Sequence, residues 1–252
     1  MPISVVMVDP HFWESSRLFN PNAFPPHAKA DASACGDRLA ILAHSIELVL
    51  REPGLDPSLM LQQLRENRAF NGFKPSPDRP SVIIFHNLNF LSGVYATLIS
   101  TKSLLDVYSR LIAKLLVPSA SVFGFNNSQF RGRNMSGGRF LKWIEGSVPK
   151  AFGKRDELVS ALLRHVDDWI DEAVTYRDAI VHDGFLPGMR EAMVPLSEQI
   201  ENLRQTDIVL PTMPNGRPVT DYCSVLAGRV RSLITETLAL IPNVDFKLLS
   251  LQ

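Results

Sequence analysis

From Ile84 to Leu115 the apolar positions Leu88, Leu91, Tyr95, Leu98, Leu105, Tyr108 and Ile112 recur at helical spacing, with Lys102 in the same stripe, until Pro118 interrupts the run. That period belongs to one face of a helix. It predicts a helix over 81–116, roughly 36 residues and about 54 Å long if straight, with Gly93 as the expected bend. Lys102 is expected to snorkel along the surface or to reach an acid on a neighbouring helix. A second strong stripe, Leu158, Leu162, Val166, Trp169, Ala173, Tyr176 and Ile180, predicts a helix over 155–182, closed by Gly184 and Pro187. These two helices carry most of the expected core.

Weaker signals fill in the rest. Leu39, Leu42, Ala43, Ile46, Val49 and Leu50 predict a helix from Asp37 that ends before Pro53, followed by one over 56–68. Residues 10–34 hold Pro21, Pro25 and Pro26 without a sustained period and read as an irregular arm, with Phe12 and Trp13 as its anchors. Residues 119–138, rich in Ser, Asn and Gly, read as a loop, and a helix over 138–148 follows it. Short strands are expected at 189–196 and 206–212, then the turn Pro214-Asn215-Gly216 and a last helix over 220–240 with Thr220 as its N-cap. The fold class is therefore mainly α: a helical bundle with a small β-hairpin before the last helix. Its expected division is an irregular N-terminal arm at 1–35 and a helical domain at 36–252.

Composition narrows the function classes. The 252 residues are 45% hydrophobic, enough for a sizeable core, and Lys plus Arg equals Asp plus Glu at 26 each. A balanced chain cannot coat nucleic acid through its overall field, so any such contact needs a local patch. Cys35 and Cys223, the two cysteines, stand far apart and fit reduced thiols. The short apolar stretch Met1–Val8 has no basic leader and is cut by Asp9 and Pro10, so a cytoplasmic location is expected. The apolar window at 81–116 also contains His86, Asn87, Asn89, Asp106 and Arg110, too polar for a bilayer span. No metal is expected, since the histidines form no close ligand pair and the acids no EF-hand loop. No Walker loop, dinucleotide fingerprint or Gly-X-Ser-X-Gly elbow is present, and no cofactor is expected.

The sharpest chemical signal is Tyr176-Arg177-Asp178-Ala179-Ile180-Val181-His182-Asp183-Gly184, at the closing end of the second long helix. An arginine followed by a polar residue and then, after a four-residue gap, a histidine resembles the signature of the HEPN superfamily. The resemblance implies a helical bundle, often a homodimer, in which catalytic members cleave RNA without a metal in stress or defence. It implies Arg177, Asp178 and His182 as the catalytic set. An imidazole exchanges protons near neutral pH, and a guanidinium holds a phosphate and the charge of its transition state. The alternative is a noncatalytic helical module for dimerisation or partner binding. In that account His182 interacts with the helix C-terminus and pairs with Asp178, while Arg177 balances nearby carboxylates. On an ideal helix, positions 177 and 182 lie about 140° apart and do not share a face. Six acids, Asp167, Asp168, Asp171, Glu172, Asp178 and Asp183, surround Arg177 and would repel RNA.

A basic patch elsewhere would have to offset that repulsion. Residues 131–155 carry Arg131, Arg133, Arg139, Lys142, Lys150, Lys154 and Arg155 against Glu145, with Phe125, Phe130, Phe140 and Trp143 before and among them. Arg131, Arg133, Arg139 and Lys142 are the candidate RNA-binding residues, with base stacking on the aromatics. The competing account is a solvated loop whose rings anchor it to the core.

Overall fold

The computed structural model describes residues 17–52, 55–67, 81–85, 87–121, 124–150, 152–196, 200–242 and 244–245. Helix α1 (Lys29–Leu50) packs along α3 (Leu88–Leu116), and α2 (Pro57–Glu66) lies between them in sequence. The chain continues through α4 (Gly138–Ser147), α5 (Arg155–His165), a π turn (Val166–Ile170), α6 (Asp171–Asp183) and α7 (Val219–Leu238). The fold is mainly α, with strands β1 (Ser81–Phe85), β2 (Ser128–Phe130), β3 (Arg133–Met135) and β4 (Ala192–Leu196) in two small antiparallel sheets.

The expected 36-residue helix is two elements. Ser81-Val82-Ile83-Ile84-Phe85 forms β1 and pairs with β4 from Ser81↔Leu196 to Phe85↔Ala192. Its β-branched run suits a pleated surface. Asn87 then starts α3, its side chain accepting from the Phe90 amide at 2.9 Å. The 29 residues of α3 span about 44 Å. Gly93 lies within this helix and serves a close approach: a Cβ there would sit 3.0 Å from Val49 Cγ2. Lys102 is buried within the stripe and donates to Asp106 of its own helix at 2.5 Å, where an acid on another helix was one expectation.

Helix α1 starts at Lys29, eight residues ahead of the expected Asp37, because Ala28, Ala32 and Cys35 continue the buried face toward the N-terminus. Phe19 and Phe24 are buried and anchor the preceding segment, Phe19 lying edge-on to Tyr108. The expected anchors Phe12 and Trp13 lie outside the described residues. The 119–138 stretch contains the β2–β3 hairpin, and α7 begins after Pro218, which occupies the N-cap, so Thr220 sits inside the first turn. The two expected strands before α7 do meet, through isolated bridges Arg190↔Thr212 and Met193↔Val209, while β4 takes β1 as its main partner.

Two apolar cores result among the described residues. The larger joins α1, α3, α4, α5, α6 and α7 around Leu111, Ile112, Leu141, Leu158 and Trp169. A smaller one lies under α2, where Met60, Leu61 and Leu64 meet Ala192, Val194, Ile200, Leu203 and Ile208. Among the described residues, no helix is long and apolar enough to cross a membrane.

Candidate functional site

Gly184 closes α6 in the left-handed conformation, at φ 76°, and its amide donates to the Ile180 carbonyl at 3.1 Å. Positions 173, 174 and 180 are buried, and Arg177 belongs to that side of the helix: its side chain is 29% exposed. His182 belongs to the opposite side with Thr175 and is exposed. One chain therefore presents the guanidinium and the imidazole in different directions, as the 140° separation requires. Arg177 Nη1 pairs with Asp178 Oδ1 at 2.7 Å, so Asp178 serves the arginine, and no bond joins it to His182. Nε of Arg177 is buried without a hydrogen-bond partner among the described residues. Beside His182, Val181 and Phe185 are exposed apolar side chains, giving the helix end an apolar rim.

The acids around Arg177 are largely committed within the fold. Asp167 takes Arg133 at 2.7 Å, Asp168 takes Arg229 at 3.0 Å, and Asp171 accepts the Ser136 amide at 2.6 Å. Glu172 accepts from Asn215 Nδ2 at 3.2 Å. With Asp178 on Arg177, five of the six carboxylates face an internal donor or cation. Three of them, Asp167, Asp168 and Asp178, have their charge offset by an arginine, which reduces to that extent the repulsion a bare acidic helix would exert on a polyanion.

The hairpin that supplies Arg133 is built for a tight turn. Phe130 pairs with Arg133 across a two-residue loop, Arg131 and Gly132, at φ 48° and 82°. Positive φ at both loop residues matches the right-handed twist of a hairpin, and a non-glycine residue there is uncommon. The Arg131 guanidinium lies 5.2 Å from the Phe130 ring centroid and pairs with Glu145 at 2.5 Å. The segment leading into β2 is held to α3 by Asp106, which accepts from the Phe125 amide at 2.7 Å as well as from Lys102. Arg139 and Lys142 are exposed on α4. Phe125, Phe130 and Phe140 are buried, so these rings anchor the segment to the core, and Trp143, half-buried, is the ring left near the surface. Arg155 turns inward and donates to the Glu145 and Val148 carbonyls at the end of α4.

Two polar clusters had no motif to announce them. At the π turn, the Trp169 indole donates to His165 Nδ1 at 3.1 Å, which leaves the His165 proton on Nε2, facing Glu236 at 3.3 Å. Glu236 also accepts from Ser232 and Arg164, and its carboxyl pKa is lowered, first by the Ser232 bond. This network borders an open groove of about 550 Å³ between α5 and α7, lined by Asp156, Glu157, Ser160, Arg164, Glu236 and Leu240. The second cluster joins Glu172, Tyr176 and Tyr222, the two rings 6.0 Å apart. Burial, and then the Glu172 charge, push both phenol pKa values up. A His-to-Trp spacing of four hints at the first cluster; the partners 43 to 72 residues away are set by tertiary packing.

The fold and its polar sites define a mainly α bundle with an Arg/His element at one open helix end. No family model, curated protein or solved structure matches the chain.

Proposed function

We propose that this is a HEPN-like protein acting on RNA, a metal-independent endoribonuclease whose site is completed by a second copy of the chain. The reading is carried by one observation: His182 stands exposed between Val181 and Phe185 at the Gly184-capped end of α6, while Arg177 of the same chain points the other way. In this reading a second copy docked against that apolar rim is what would bring its His182 to the Arg177 of the first. In the reaction the ribose 2′-oxygen attacks phosphorus as its proton is taken up, the bond to the 5′-oxygen breaks, and that oxygen receives a proton. His182 is the proton-exchanging group, and Arg177 neutralises the phosphoryl oxygens, with Asp178 orienting it.

The test is incubation of varied RNAs with excess EDTA, comparing wild type with His182→Ala and Arg177→Ala after both variants are confirmed folded. Loss of about a hundred-fold or more in both, with cleavage by wild type surviving chelation, is the expected result. Activity should also fall on dilution as the pair dissociates. Equal cleavage in all three proteins rejects the assignment. The second reading, a noncatalytic helical module for dimerisation or partner binding, is favoured by the Arg177–Asp178 pair, which already satisfies part of the guanidinium. Absence of cleavage in wild type would select it.

A further inference from the structure

We infer that the β2–β3 hairpin is a phosphate-gripping finger for single-stranded RNA whose arginines are held in reserve by two internal carboxylates, Glu145 and Asp167. The inference rests on the RNA-directed reading above but on different residues from its chemistry. Arg131 and Arg133 flank the tip, with side chains 61% and 59% exposed, and each has one carboxylate as a counter-ion. The Arg133 guanidinium carries its charge at any neutral pH, and its bond to Asp167 Oδ1 at 2.7 Å holds that charge in an exposed pair. Exposed pairs of this kind are worth little to the fold, and a polyanion that brings several phosphates at once displaces them.

The surroundings extend the same surface. Lys142 lies one turn before Glu145 on α4, and Arg139 one turn before Lys142, both exposed. Trp143 shares the Arg139 side of that helix and supplies a half-buried ring beside the cations. Cations that follow a backbone beside a ring suit an unpaired strand, whose bases are free to stack. Arg131 holds a left-handed conformation that glycine or asparagine would adopt at lower cost. From that turn the guanidinium folds back over the Phe130 ring to reach Glu145, and its side chain stays 61% exposed.

The experiment measures anisotropy of a short fluorescein-labelled oligouridylate at low salt, with every protein carrying His182→Ala to prevent cleavage. Removing a reserve charge by Asp167→Asn or Glu145→Gln should tighten binding by about two- to five-fold each. The double variant Arg131→Ala/Arg133→Ala should weaken it by about ten-fold and reduce the salt slope by about 1.4. Thermal melts establish that each variant is folded. Unchanged or weaker binding in both carboxylate variants overturns the proposal, as does wild-type affinity in the arginine double variant. Binding of a polyglutamate peptide in preference to the RNA also overturns it and assigns the finger to an acidic protein partner. The cleavage reading fails separately, because it is judged in the His182-intact protein in EDTA, whatever the hairpin variants do.

Discussion

Glu236 gathers donors from three residues, Ser232, Arg164 and His165, and these hold its pKa below the ordinary value of 4.5. A carboxyl with a depressed folded pKa stabilises the fold above its unfolded pKa, and that contribution fades as the pH falls through the folded value. Glu236→Gln should therefore lower the melting temperature at pH 6 and lose its effect as the pH falls below the ordinary carboxylate range. Melting curves of both proteins across that range check it; a gap that widens on acidification rejects the assignment. The residue scale also holds the chief surprise around Arg177. Six acids in sequence read as a repulsive face, yet Asp167, Asp168, Asp171 and Glu172 are occupied by Arg133, Arg229, the Ser136 amide and Asn215. Those partners lie 34 to 61 residues away along the chain, beyond the reach of any local pattern.

Among the elements, the β2–β3 hairpin and the turn after it depend most on particular residues. Gly137 sits at φ 71°, and a Cβ there would meet the Phe125 ring at 2.2 Å; Gly132 is also left-handed but has open space around its Cβ position. Gly137→Ala should cost about 2–4 kcal/mol, from strain and overpacking together, and Gly132→Ala about 1 kcal/mol from backbone strain alone. Urea denaturation of both measures the difference, and equal losses would show that the packing against Phe125 does not matter. Helix ends were readable where the chemistry is local, as with Gly184 and Pro187 closing α6. The start of α3 was not, because Val82, Ile83 and Ile84 fit a helical period and a strand equally well. Only the pairing with β4, more than a hundred residues away, decides between the two.

Across the whole molecule, the packing of α1 on α3 and of α3 on α6 carries the larger core, while the β1–β4 pair and α2 enclose the smaller one. Leu111, fully buried in the larger core, should cost about 2–5 kcal/mol when changed to Ala, read as a fall in the denaturation midpoint at constant slope. The sequence by itself determined the mainly α class, the long amphipathic helices and the closing of α6, because a 3.6-residue period and Gly or Pro punctuation act within a few residues. It also set Arg177 and His182 about 140° apart, a matter of helical geometry alone. Tertiary structure decided which strand pairs with β1, which acids are neutralised, and that Phe125, Phe130 and Phe140 face the core and not solvent. Those outcomes depend on contacts between distant segments, whose free energy exists only once the helices have packed.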